Sequence, residues 1–234
     1  MLLIAIVVGV FFVTNQKSAA PSNSTEQKSS KQGTGSFNKT QYSINQPGSI
    51  WWIVNKKRAL PRGYAPSNLT NPKVALRLSS STPEMNIRGD VAPAVEQLFA
   101  GAANAGHNLL FASGYRSEAL QKQLYDGYVR TDGQEAADRS SAKPGTSEHQ
   151  TGLAFDICLA NSGCSLEQSF GTTPAGQWIA DHAHEYGFVV RYQPGKEQIT
   201  GYEYEPWHLR YVGTELATEL HSKRVTMEEF FGLQ

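Results

Sequence analysis

The sequence predicts an α+β fold, because its strand-like and helix-like runs do not alternate as they do in a doubly wound sheet. Two observations carry this. Short runs of strand character stand at 108–116, 151–157, 188–192 and 207–212, separated by helical patterns of unequal length. Hydrophobic residues make up 39% of the chain, enough for one core with a polar portion left outside it. There is no internal repeat.

In chain order, IWWIVN at 50–55 is a β-type run of aromatic and β-branched residues. LPRGYAP at 60–66 is loop, punctuated by proline and glycine. A helix is expected from Asp90, a favourable N-cap, with Val91, Val95, Leu98 and Phe99 at helical spacing and Gly106 at its end. NLLFASGYR at 108–116 is a buried strand leading into a turn. Ser117 caps a second helix whose apolar positions, Leu120, Leu124, Tyr125 and Tyr128, share one face. Residues 133–145 are polar and read as loop with a helical turn. TGLAFDI at 151–157 and FVVRY at 188–192 are strands, and the helix between them, at 173–187, stops at Gly187. WHLRYV at 207–212 is a further core strand, with a helical region after it.

The N-terminal portion reads differently. Residues 2–13 are an unbroken apolar run, shorter than the roughly 20 residues of a membrane span and within the range of about 7–15 for a signal-peptide core. Residues 1–20 are therefore expected to be a signal peptide or N-terminal membrane anchor that contacts the membrane, and the protein to be exported. Residues 21–49 are rich in Ser, Asn, Gln, Thr and Lys without hydrophobic period, which reads as a disordered linker to a domain at 50–234. Cys158 and Cys164 flank a short loop; a disulfide is preferred over two free thiols, since an exported chain meets an oxidising compartment. Basic and acidic residues balance at 21 each, so charge offers no reason to expect a nucleic-acid partner.

The chemistry concentrates in SEHQTGLAFDI at 147–157. His149 lies on the approach to a strand that carries Asp156, with the small residues Gly152 and Ala154 between them, so both side chains can reach one point. A catalytic zinc takes three ligands of this kind and keeps an open position for water. YEYEPWHLRY further along offers His208 as a third ligand and Glu205 as a carboxylate near it, with Trp207 to shield one side. Glu203 competes with Glu205, because residues two apart on an extended segment share a face.

The pattern Ser147-x-His149-x-x-Gly152-x-Ala154-x-Asp156, followed by Glu205-x-Trp207-His208, resembles the zinc peptidases of the D-alanyl-D-alanine carboxypeptidase group. It is most similar to their VanY-like branch of D,D- and L,D-carboxypeptidases. WWIVNKKRALP at 51–61, SGYRS at 113–117 and EPWHLRYVG at 205–213 extend the likeness over residues 50–215. The resemblance implies the fold shared with lysostaphin-type peptidases and the hedgehog domain: a small antiparallel sheet with helices around it and the zinc site in a groove on the sheet. It implies zinc on His149, Asp156 and His208, Glu205 as general base, and Arg116 polarising the scissile carbonyl. Gln121 and Ser147 resemble substrate-contacting groups. The implied substrate is a peptidoglycan stem peptide ending in D-alanine, cut by zinc-activated water. L,D-carboxypeptidase, endopeptidase and non-catalytic wall-binding module are the alternatives. The Cys158–Cys164 loop is not part of the group's pattern.

Outside the motif the plainer readings hold. His107, His182, His184 and His221 are expected to be structural or exposed, and Trp51, Trp52 and Trp178 to be core. Arg116 has a structural ion pair as its alternative, and Gln121 a place on the helix surface.

Overall fold

A computed structural model describes residues 37–161 and 163–233; the expected export segment and residues 21–36 of the expected linker lie outside them. Residues 38–49, the rest of that polar run, pack with the domain. Tyr42 sets its ring edge-on to Trp51, and the Ile44 and Gly48 carbonyls accept hydrogen bonds from Ile53 N and Arg88 Nη1. No helix among the described residues is long and apolar enough to cross a membrane.

The IWWIVN run is not a strand. Trp51, Trp52, Ile53 and Val54 are all buried, without the alternation of a sheet edge. The carbonyls of Ile50 and Trp52 are taken by the Arg210 guanidinium at 3.1 and 2.8 Å, and the Trp51 indole donates to Val212 O. These groups therefore have no ladder to make. β-type composition here reports burial.

Strands β1 (Leu69–Thr70) and β2 (Ile87–Arg88) form a small antiparallel pair. Helix α1 (Ala92–Asn104) follows, with Val95, Leu98 and Ala102 buried and Pro93 in its first turn. Asp90 does not cap it. Its carboxylate is engaged by Arg88, with Nε to Oδ1 at 2.8 Å, and the cap position falls on Val91 without a side-chain bond. Strand β3 (Leu109–Ser113) leads to Ser117, whose hydroxyl accepts from Leu120 N at 3.2 Å and caps α2 (Glu118–Asp132) as expected.

The inward side of α2 differs from the expected apolar stripe. Gln121 and Tyr125 are its buried residues, and Tyr128 is 44% exposed. This helix covers a polar wall, so its buried residues are those that hydrogen-bond: Tyr125 donates to the carboxylate of Asp138 on α3 (Gln134–Ser140). That second helix occupies a stretch expected to hold only a helical turn.

Strand β4 (Ala154–Leu159) is followed by α4 (Pro174–His182), capped by Thr173 Oγ1 on Gly176 N at 3.0 Å. A 3-10 turn at Ala183–Tyr186 continues it to Gly187. Then come β5 (Phe188–Tyr192), α5 (Glu197–Thr200), β6 (Glu205–Tyr211), α6 (Thr214–Lys223) and α7 (Met227–Phe231). The last of these carries a capping box between Thr226 and Glu229. The main sheet has the order β3-β4-β6-β5 and is antiparallel throughout, which is the small sheet with surrounding helices that the resemblance implies.

Alternation along these strands separates two faces. On one face Phe111 stacks on Phe155 with ring centroids 5.1 Å apart, Phe188 meets Phe155 edge-on, and Ile157 and Leu209 join Leu98 and Ile179 from α1 and α4 in the core. Fully burying each such side chain contributes about 1.5–3 kcal/mol. The other face carries Asp156 and His208, directly opposite each other on β4 and β6.

Candidate active site

His149 reaches that polar face from a 3-10 turn, Glu148–Thr151, which ends at Gly152 with φ +67°. A side chain at 152 would be strained in this conformation, and its Cβ would stand 3.2 Å from both Arg88 and Pro66. The glycine lets the chain turn sharply enough that His149 and Asp156 meet. His149 Nδ1 lies 2.7 Å from Gly114 O; a carbonyl only accepts, so Nδ1 carries the proton and Nε2 the lone pair. That Nε2 faces Asp156 Oδ2 at 3.4 Å. His208 Nδ1 is 3.1 Å from Asp156 Oδ1. Ligand atoms of His149, Asp156 and His208 all lie within 4.8 Å of one another, and all three residues are buried.

This arrangement fits a divalent metal. A lone pair on His149 Nε2 pointed at an ionised carboxylate is repulsive unless a cation sits between them, and two imidazoles with one carboxylate are a zinc donor set. Burial and the neighbouring Arg116 charge hold the His149 imidazole below its ordinary value, in the neutral form that ligates. Burial opposes ionisation of Asp156, but the two imidazoles outweigh it and hold the carboxyl well below the usual range. Burial also opposes protonation of His208. The hydrogen bond to Asp156 and the nearby Glu148 carboxylate prevail and raise it to about 9, so the site favours a positive charge on that ring.

Glu205 begins β6, and its Oε2 lies 3.8 Å from His208 Nδ1. Burial pushes its carboxyl up to about 7, against the pull of His208, Arg116 and Lys56. The competitor Glu203 also lines the cleft, but its half-exposed carboxylate faces Arg139 Nε at 3.8 Å on the rim, whereas Glu205 faces His208.

Arg116 enters from the turn after β3. Its Nη1 donates to Gln121 Oε1 at 2.9 Å, Nη2 donates to Ser113 Oγ at 3.2 Å, and Nη2 stands 3.7 Å from Asp156 Oδ2. Gln121, expected as a substrate contact, lies behind Arg116 and does not line the cleft; its Nε2 donates to Ala142 O at 2.7 Å and to Ser141 Oγ. Ser147 does line the cleft. The cleft, about 330 Å³, opens above His149, Asp156 and His208, with Trp207 and Tyr204 on its walls. Cys158 and Cys164 are joined by a disulfide.

Two features were not found from sequence. Tyr192 stacks on both His208 and Tyr202, with centroids 4.9 and 4.4 Å apart, and forms an aromatic wall under His208. Behind it lies a buried ionic cluster of Glu148, Arg191, Arg210 and Glu228. The available signals were the charged residues inside strand-like runs: Arg191 within FVVRY, and Arg210 two positions after His208 and hence on its face. The remaining histidines stay apart from the site: His182 faces Glu185, His184 stacks on His221, and His107 lies against Trp178.

A family model described as VanY, D-alanyl-D-alanine carboxypeptidase, matches residues 84–214. The protein YodJ of Bacillus subtilis (strain 168) is 44% identical over 188 residues, spanning 80% of this chain and 69% of its own length. Among solved structures, the LD-carboxypeptidase LdcB superposes with a TM-score of 0.76 at 44% identity, over 80% of this chain and 87% of LdcB. A Zn(II) complex of the vancomycin-resistance D,D-pentapeptidase VanY gives a TM-score of 0.63 at 32% identity, over 76% of this chain and 97% of that one.

Proposed function

The chain belongs to the VanY family of D-alanyl-D-alanine carboxypeptidases, and on that premise we propose that it is a zinc-dependent carboxypeptidase that removes the C-terminal D-alanine of peptidoglycan stem peptides. The observation that carries this is the convergence of His149, Asp156 and His208 on one point, with the Glu205 carboxylate 3.8 Å from His208 Nδ1 and Arg116 beside Asp156.

His149 Nε2, an Asp156 oxygen and His208 Nδ1 would hold the zinc. Bound there, zinc supplies Lewis acidity, lowering the pKa of a water towards about 7 and polarising a carbonyl. Glu205 takes a proton from the attacking water, a task suited to a carboxyl raised to about 7. The water oxygen bonds to the carbonyl carbon, and Arg116 meets the negative charge that develops on the carbonyl oxygen. The C–N bond then breaks as Glu205 returns the proton to the leaving amine, releasing D-alanine. No covalent enzyme intermediate is involved.

A second reading is favoured by one observation. The LD-carboxypeptidase LdcB is more similar to this chain than the D,D-enzyme VanY is, in both identity and superposition. The L,D reading keeps the same residues and changes only the stereochemistry accepted before the cut. Mass spectrometry of defined stem peptides incubated with the protein, with and without chelator, separates the two. Chelator-sensitive loss of one alanine from the pentapeptide supports the D,D reading, loss only from the tetrapeptide supports the L,D reading, and release from neither rejects both.

Export belongs to the same proposal. The apolar run at 2–13 and the Cys158–Cys164 disulfide support it, since disulfides persist in oxidising compartments. Recovery of the native protein in the cytoplasmic fraction with free thiols would refute it.

A further inference from the structure

Of the buried side-chain atoms that lack a hydrogen-bond partner among the described residues, two face each other: Glu148 Oε2 and His208 Nε2, 3.6 Å apart. The rest of the Glu148 carboxylate is fixed. Its Oε1 accepts from Arg191 Nε at 2.8 Å and from Arg210 Nη1 at 2.6 Å. Arg191 is held in turn by Glu228, at 2.9 Å from Nη1 and 2.6 Å from Nη2, and Glu228 Oε1 accepts from Asn55 Nδ2. Arg210 is tied through Nη2 to the carbonyls of Ile50 and Trp52. Two guanidiniums from β5 and β6 thus grip one oxygen of Glu148 and leave the other aimed at the His208 ring.

Four buried charges that sum to zero are a poor source of net stability, because desolvation offsets their attraction. What the cluster provides is a carboxylate at a fixed place. We propose that Glu148 is a positioning residue for His208: Oε2 accepts the proton on Nε2, which fixes the ring plane and the tautomer and leaves the Nδ1 lone pair directed to the point shared with His149 and Asp156. Imidazole ligands characteristically give their second nitrogen to such a partner. His149 does so with the Gly114 carbonyl, and Glu148 plays the same part for His208 with a full negative charge. The inference rests on the metal reading of the site.

The test is zinc affinity, measured by competition with a chromophoric chelator, for the wild type, Glu148→Gln and Glu228→Gln. Both guanidiniums claim the Oε1 side, so Glu148→Gln turns its amide NH2 towards His208 Nε2, donor against donor. Affinity should fall about 10- to 100-fold. Glu228→Gln releases only the far side of Arg191, and Arg191 Nε and Arg210 Nη1 still hold Glu148 Oε1, so it should lower thermal stability and cost far less affinity than Glu148→Gln. Wild-type affinity in Glu148→Gln, or an equal loss in both variants, overturns the proposal.

Side-chain ¹H–¹⁵N spectra of the zinc-loaded wild type decide the question even if Glu148→Gln fails to fold. A proton on His208 Nε2 supports the proposal, and a proton on Nδ1 overturns it. A folded wild type that binds no zinc overturns the metal reading, and this inference with it.

Discussion

Glu205 and His208 lie three residues apart on one strand, yet Glu205 Oε2 and His208 Nδ1 are 3.8 Å apart. In an unbroken strand such residues face opposite sides of the sheet. Here Val190 pairs with Leu209 while Tyr192 pairs with Glu205, so two steps along β5 match four along β6. The irregularity at 206–208 re-aims Glu205 onto the face of the proposed ligands, a recognised use of bulges beside active sites.

If Glu205 is the general base, Glu205→Gln should lower kcat by about 10²- to 10⁴-fold. KM and bound zinc should stay close to wild type, because the carboxylate is not in the proposed ligand set. Steady-state kinetics with metal analysis on the same sample checks this, and a proportional loss of zinc would show Glu205 to be a ligand instead.

Arg116 and Gln121 form a unit, since the amide of Gln121 fixes the guanidinium at 2.9 Å. Arg116→Ala should reduce kcat by about 10²- to 10³-fold, the scale of a lost oxyanion donor. Gln121→Ala should cost less, and should cost nothing further in the Arg116→Ala background. Additive losses would mean that Gln121 acts on substrate independently of Arg116.

Glu228 gives a pH dependence of stability with a defined sign. Burial opposes its ionisation, but the Arg191 charge and hydrogen bonds from Arg191 and Asn55 prevail and hold the carboxyl below its ordinary 4.5. A depressed folded-state value stabilises the fold above pH 4.5, and that contribution is lost as pH falls through the folded value. Glu228→Gln should therefore be less stable than wild type near neutrality, with the gap narrowing in acid. Denaturant midpoints across the acid range test this; a gap that is constant with pH would contradict it.

The proposed site was more legible in the sequence than the scaffold that holds it. His149, Asp156, His208, Glu205 and Arg116 fall in short motifs that resemble those of a known peptidase group, so the resemblance names them. The elements misread were those whose role depends on distant partners. Trp51 to Val54 look like a strand but give their neighbouring carbonyls to Arg210, some 160 positions away. Asp90 looks like a cap but is engaged by Arg88. The α2 helix turns Gln121 and Tyr125 inward because it faces a polar wall. Glu148 stood in plain view between Ser147 and His149, but nothing local reveals that Arg191 and Arg210 converge on it.

The most direct measurement is D-alanine release from stem peptides by protein stripped of metal and then titrated with zinc, for the wild type and Glu205→Gln. Stripped wild type should be inactive and should recover fully at one zinc per chain, while Glu205→Gln takes up the same zinc and stays inactive. Turnover by the stripped protein, or full turnover by zinc-loaded Glu205→Gln, would contradict the account.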